Sequence, residues 1–141
     1  MFFVTKEFTF DMAHRLNLNY PSPCSRIHGH TYKVQLTYKH IRLDANGMVR
    51  DFSDIKKDID IIKARFDHKI LLDKRDVLSA EIDSVDGVEY FLGNPTAENM
   101  AQAIYVGLKE TDSKLYSVRI YETPTSWAEY SESAVDLNTR M

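Results

Sequence analysis

Cysteine is almost absent from this sequence: Cys24 is the only one in 141 residues, and a lone thiol cannot close an intrachain disulfide. There is no apolar run of membrane-spanning length, and the N-terminus lacks a basic-then-apolar signal segment, so no membrane partner is expected. Together these absences point to a cytoplasmic, reduced setting in which a thiol stays available as nucleophile or base. Charge of one sign is not in excess either. Lys and Arg number 18 against 21 Asp and Glu, a formal net charge of -3, and the basic residues are scattered among acidic ones. That leaves no electrostatic footprint for nucleic acid, and a small-molecule substrate is the better default. With no internal repeat, low-complexity tract or linker, and 43% hydrophobic residues, residues 1–141 should form a single domain with a substantial core.

Period-two alternation marks the strands. From Phe2 to about Met12, Val4, Phe8 and Phe10 alternate with Thr5, Glu7 and Thr9. The segment Leu16–Ser25 is irregular, broken by Pro21 and Pro23, and places Cys24 on a loop. From His30 to about Leu43, Tyr32, Val34, Leu36 and Tyr38 alternate with Thr31, Lys33, Gln35 and Thr37. Asp44-Ala45-Asn46-Gly47 reads as a hairpin turn with Met48–Phe52 as the returning strand. Ser53 can cap a helix whose stripe is Ile55, Ile59, Ile62 and Phe66, with Lys56, Lys57, Asp58, Asp60 and Lys63 on its other faces. Residues 73–93 show no clear period and read as an excursion with a short helix near Val77–Ile82. Thr96 caps a second long helix with Ala97, Met100, Ala101, Ile104 and Leu108 inward. A strand from Lys114 to Tyr121 alternates Tyr116, Val118 and Ile120 with Ser117, Arg119 and Tyr121, and Trp127–Ser131 returns beside it. The order predicts an α+β fold: a four-stranded antiparallel sheet with two helices on one face.

Two of the five histidines sit beside the cysteine in Cys24-Ser25-Arg26-Ile27-His28-Gly29-His30. In an extended strand His28 and His30 project from one face. His14 ends the first strand on the parity of Phe8, Phe10 and Met12. Three imidazoles continuing apolar faces suggest zinc with an open fourth position, the pattern of catalytic sites. Two plainer readings stand beside it. The histidines can be core or surface residues at strand ends, and Cys24 can close a structural zinc site as a fourth ligand. Glu122 falls on the apolar parity of its strand, where a carboxylate must be paired or functional. His68, by itself, is as well read as a helix C-terminal histidine favoured by the dipole.

The motif Cys-x-x-x-His-Gly-His-x-Tyr, preceded by Phe10-Asp11-Met12-Ala13-His14-Arg15-Leu16, resembles the 6-pyruvoyl-tetrahydropterin synthase family, in particular its 6-carboxytetrahydropterin synthase branch. The similarity continues through Asp51-Phe52-Ser53-Asp54-Ile55-Lys56, Phe66-Asp67-His68-Lys69-Ile70-Leu71, Asn94-Pro95-Thr96-Ala97-Glu98-Asn99 and Tyr121-Glu122-Thr123. The resemblance implies the tunnelling or T-fold, hexamers with active sites at subunit interfaces, and zinc held by His14, His28 and His30. It implies Cys24 as the proton-abstracting thiolate, His68 as a proton relay with Asp67 behind it, and Glu122 as the pterin anchor. The implied reaction converts 7,8-dihydroneopterin triphosphate to 6-carboxytetrahydropterin, acetaldehyde and triphosphate, an early step toward 7-deazaguanine bases such as queuosine. Three residues between Cys24 and His28 match that branch, whereas pyruvoyl-forming members of the animal type have a longer gap and a third branch carries Glu for this Cys. The chain departs from compact bacterial members in its longer 73–93 segment and in Leu72, where Asn is common. The alternatives are a 6-pyruvoyltetrahydropterin synthase and a non-catalytic zinc-stabilised pterin-binding protein. Arg15, Arg26 and Lys33 are the basic residues near the motif that could meet the triphosphate.

Overall fold

A computed structural model of the chain describes residues 1–132. Two long strands, β1 (Phe2–His14) and β2 (His28–His40), pair antiparallel along their whole length, from Phe2 opposite His40 to His14 opposite His28. The alternation that runs through both explains the pairing. Phe10 and Met12 on β1 and Tyr32, Val34, Leu36 and Tyr38 on β2 are all buried on one face, so a slip of one residue would turn every one of them to solvent. The ladder runs further than the pattern suggested at the histidine end: β1 reaches His14 and β2 begins at His28, which makes the two imidazoles a cross-strand pair.

Beyond β2 the turn at Asp44–Gly47 forms as expected, with Gly47 N–H donating to Asp44 O at 2.9 Å and Gly47 at φ 78. The strand expected at Met48–Phe52 does not form. β2 already pairs with β1 on one edge and with β5 (Leu115–Thr123) on the other, so no edge is left for a returning strand. The chain instead enters α1 (Phe52–Phe66), capped by Asp51 rather than Ser53: the Asp51 carboxylate accepts from Ser53 N–H at 2.8 Å. Ile55, Ile59, Ile62 and Phe66 are buried as predicted. Asp58, expected on a solvated face, is buried too, because Tyr38 Oη donates to its carboxylate at 2.7 Å and Arg50 pairs with it.

The excursion is the second departure. Residues 70–91 supply two four-residue strands, β3 (Ile70–Asp73) and β4 (Val88–Phe91), with a short helix α2 (Ser79–Ile82) between them. Both pair in parallel, β3 on β1 and β4 on β3. With α3 (Ala97–Lys109) and the final strand β6 (Ser126–Ser131), the sheet has six strands in the order β4-β3-β1-β2-β5-β6. The four antiparallel strands expected are there, flanked on one side by a parallel pair whose strands are too short to show a period. The short helix lies where it was expected. Thr96 caps α3 by accepting from Asn99 N–H, and the inward residues of both long helices join the buried faces of β1, β2 and β5 in one core. Helices on one face of a curled sheet give the α+β T-fold. A register shift in the β2–β5 ladder, between Thr37 and Tyr38 of β2, changes the inward phase at the start of β5, so Leu115 rather than Tyr116 is buried.

Candidate metal centre and adjoining clefts

The β1–β2 ladder ends with His14 opposite His28, and His30 lies two residues into β2 on the same face. His14 Nε2 and His28 Nε2 are 3.1 Å apart. Each ring is fixed through its other nitrogen. His14 Nδ1 lies 2.9 Å from Pro95 O and His28 Nδ1 2.7 Å from Arg26 O. A carbonyl oxygen only accepts, so both Nδ1 atoms carry the proton and a neutral ring presents a bare Nε2 lone pair. Two bare lone pairs 3.1 Å apart repel unless a cation lies between them. Burial favours the neutral form of His14 and His30, desolvation being the main cause that holds their pKa values below the ordinary range.

Glu122, near the end of β5, joins the three imidazoles. Its Oε1 is 2.9 Å from His30 Nε2 and 3.5 Å from His14 Nε2. His30 Nε2 is nonetheless buried without a hydrogen-bond partner, because the carboxylate lies off the direction in which a ring N–H would donate. An orphaned ring nitrogen, two opposed lone pairs and a carboxylate, all four ligand atoms within 4.8 Å of one another, make a donor set that fits a divalent cation. Donors on a tetrahedron with bonds of about 2.0–2.2 Å are roughly 3.4 Å apart. The second-sphere carbonyls of Pro95 and Arg26 fix ring orientation as metal-bound histidines require. Neither carbonyl was legible in the sequence, which carries no signal for a main-chain acceptor brought in from Pro95.

Cys24 lies in a single 3-10 turn, Pro23–Ser25, where its N–H donates to Ser22 Oγ and its carbonyl accepts from Leu16 N–H. Its side chain is partly exposed and its sulfur is not among the clustered donors. The structure therefore does not bring it in as a fourth ligand.

Asp67 and His68 form a separate pair just beyond α1. His68 Nδ1 lies 3.0 Å from Asp67 Oδ1, and the same oxygen accepts from Asp11 N–H at 3.1 Å. These contacts, the Asp11 N–H first, hold the Asp67 carboxyl below its ordinary pKa. His68 N–H donates to Asp11 O at 2.7 Å, and His68 adopts φ 59, a left-handed conformation uncommon for a residue with a side chain. The imidazole is largely exposed. Asp11 itself accepts from Thr31 Oγ1 at 2.5 Å. Asp11 and Thr31 are participants that the sequence reading passed over, and their cross-strand pairing on β1 and β2 was the available signal.

Two clefts meet at His30. One, of about 520 Å³, is lined by His30, Thr31, Asp11, His68 and Lys69 among others. The other, of about 430 Å³, opens where β2 and β5 part beyond the Lys33–Tyr121 pair and is lined by His30, Thr31, Lys33, Tyr121 and Glu122. Lys33 Nζ stands 4.3 Å over the Tyr121 ring. Arg15 is turned away from this site, its guanidinium on the buried Asp76 carboxylate with Nε to Oδ2 at 2.6 Å. Arg26 is exposed and borders neither cleft.

A T-fold sheet whose strands bring together three imidazoles and a carboxylate, with His30 lining two clefts, defines a class of proteins with a candidate metal centre. The comparisons with known proteins narrow the class. A family model described as 6-pyruvoyl tetrahydropterin synthase matches residues 3–133, and the chain belongs to that family. A relative from Haemophilus influenzae named 6-carboxy-5,6,7,8-tetrahydropterin synthase is 36% identical, the match covering 94% of this chain and 100% of the relative. One of the same name from Bacillus subtilis is 30% identical over 97% of this chain and 90% of its own. Among solved structures, 6-pyruvoyl tetrahydropterin synthase from Caenorhabditis elegans superposes with a TM-score of 0.70 at 29% identity, covering 94% of this chain and 98% of the other. A Wolinella succinogenes protein described as uncharacterized has a TM-score of 0.84 at 22% identity, covering 94% and 98%, a likeness of fold.

Proposed function

We propose that the protein is a zinc-dependent 6-carboxytetrahydropterin synthase, a carbon–carbon lyase that converts 7,8-dihydroneopterin triphosphate to 6-carboxytetrahydropterin, acetaldehyde and triphosphate on the way to 7-deazaguanine bases such as queuosine. The observation that carries the reading is the meeting of His14, His28, His30 and Glu122 within 4.8 Å, with His30 lining two clefts, in a chain whose relatives bear that enzyme's name. Bound zinc would polarise oxygens of the substrate's side chain and stabilise the negative charge that develops there. The remaining work falls to this chain's own groups. His14 and His28 keep their Nε2 lone pairs aimed by donating Nδ1–H to Pro95 and Arg26. The Glu122 carboxylate can accept two donors from the aminopyrimidine edge of a pterin and so fix the ring while the side chain reacts.

Cys24, as thiolate, removes a proton from the substrate side chain. His68, its Nδ1 beside the Asp67 carboxylate, has its other nitrogen to take up or return a proton on the cleft side. The protein works as a homo-oligomer, most simply a hexamer, in the cytoplasm; among the described residues no helix is long and apolar enough to cross a membrane. Incubating the zinc-loaded protein with 7,8-dihydroneopterin triphosphate and identifying products by mass tests the reading. It predicts the 6-carboxy pterin together with acetaldehyde. A 6-pyruvoyl product would move the chain to the pyruvoyl-forming reaction, and no turnover would leave a pterin-binding protein.

A further inference from the structure

Pro95 O accepts from the buried His14 ring at 2.9 Å across 81 positions of sequence, so the aim of a metal ligand depends on what keeps that carbonyl in place. Pro95 stands, buried, in the turn before α3. Within the turn, Asn94 O accepts from Thr96 N–H at 2.8 Å and from Asn99 Nδ2 at 2.8 Å, which ties the turn to its own helix. Among the described residues its hydrogen bonds toward β1, apart from the His14 bond itself, are those of one side chain. Asn94 Oδ1 accepts from Asn17 N–H at 2.7 Å, and Asn94 Nδ2 donates to Asn17 O at 3.1 Å. A main-chain N–H only donates and a carbonyl only accepts, so this clamp admits one orientation of the amide. Asn17 follows His14, the last residue of β1, by one short step of chain. We propose that Asn94 is a positioning residue for the metal centre: its amide registers the turn before α3 against the end of β1 and so holds Pro95 O behind His14. The proposal rests on the reading of His14 as a metal ligand and adds to it the residue that keeps the ring aimed.

The strand side of the clamp is a fixed post. Between His14 and Asn17, Arg15 pairs with the buried Asp76, and Leu16 N–H donates to Cys24 O at 2.9 Å. The turn is the partner whose place the amide decides. Without that amide the turn would hang on the His14–Pro95 bond, and the ligand would have to hold its own support. The bond matters because Pro95 O keeps the proton on Nδ1 and the lone pair on Nε2. His14 is fully buried, so water does not readily replace a carbonyl that drifts away, and the donor left behind is costly. Partners of this kind behind metal-bound histidines are worth about ten- to a hundredfold in metal affinity. Asn94 acts one bond further out, which places its effect at the lower end.

The test is zinc affinity by chelator competition in the substrate-free protein, with Tm measured beside it. Asn94→Ala loses both bonds of the clamp, and its zinc dissociation constant should rise about tenfold. Asn17→Ala keeps them, since they run to main-chain atoms, and should bind zinc as the wild type does. Thr96→Ala, in the same turn, loses the cap of α3 and lowers Tm while leaving the Asn94 amide alone, so its zinc affinity should also be that of the wild type. Asn94→Asp keeps the acceptor for Asn17 N–H and should fall between Asn94→Ala and the wild type; it carries the test by itself if the alanine protein does not fold. Wild-type zinc affinity in the folded Asn94 variants would overturn the proposal and leave the three-imidazole reading intact. So would a loss of affinity in Thr96→Ala or Asn17→Ala equal to that in Asn94→Ala, since the effect would then follow general loosening of the turn. A wild-type protein that takes up no zinc would overturn the metal reading and the proposal with it.

Discussion

His14 and His28 each commit one ring nitrogen to a main-chain carbonyl and leave the other unprotonated, so their chemistry is set by atoms that take no part in it. This has a pH consequence. Metal ligation needs neutral imidazoles, and burial holds the His14 and His30 pKa values below the ordinary 6.5. A depressed histidine pKa means that the unfolded chain binds protons first. The contribution to stability is therefore present above pH 6.5 and is lost as pH falls below it, with metal release following the same direction. Cys24 belongs to the same scale. It sits outside the donor cluster, so Cys24→Ala should keep metal, fold and assembly while lowering turnover by about a hundred- to ten-thousand-fold, the usual worth of a general base. Metal analysis beside kcat checks this; loss of metal in the variant would return the thiol to the coordination sphere.

Among the elements, the parallel pair β3–β4 is the part with the least support from local pattern, and one ion pair fastens it to β1. Asp76, buried after β3, takes a bidentate interaction from Arg15, just past the end of β1. The Arg15 hydrogen bond is the first cause that holds the Asp76 carboxyl below its ordinary pKa. A depressed carboxyl pKa contributes stability that is present above about pH 4 and is lost as pH falls through the folded value. Arg15→Met should lower stability at neutral pH by about 2 kcal/mol, less than for a fully buried pair because Arg15 is partly exposed, and should flatten the fall in stability below pH 4. Urea unfolding of both proteins from pH 3 to 7 reads both effects. At the start of α3, Thr96→Ala should cost about 1 kcal/mol through loss of the cap to Asn99 N–H, read as a lower Tm with metal content unchanged.

These elements also show what the sequence disclosed. The long strands and helices were legible because alternation over a dozen residues, or a stripe over three turns, leaves few alternatives. β3 and β4 were not, since four residues buried beside other strands show no period. The return strand at Met48–Phe52 was misread for a different reason: a hairpin turn can be recognised locally, but whether β2 has a free edge depends on β5, which lies some seventy residues further on. Asp58 and Asp76 were assigned to solvent or left unassigned because the partners that bury them, Tyr38 and Arg50 for the first and Arg15 for the second, lie on other elements that local pattern does not bring together. The three histidines were legible from parity alone, while the approach of Glu122 to them depended on the irregular end of β5.

On the scale of the whole molecule, among the described residues the sheet ends on one side at β4 and on the other at β6, with unpaired edges, and its helix-free face carries partly or well exposed aromatic side chains such as Phe3, Tyr116, Tyr121 and Trp127. Edges and aromatic surface of this kind are buried by assembly in stable proteins. Light scattering at micromolar concentration should therefore give a homo-oligomer, with a hexamer as the predicted size, and a monomer would contradict it. Function depends on whether the imidazole cluster at the end of the β1–β2 ladder holds a metal. The most direct measurement is elemental analysis of the purified wild-type protein and of His28→Ala. The prediction is about one zinc per chain in the first and a small fraction of that in the second, both folded by circular dichroism; full zinc occupancy in folded His28→Ala would contradict it.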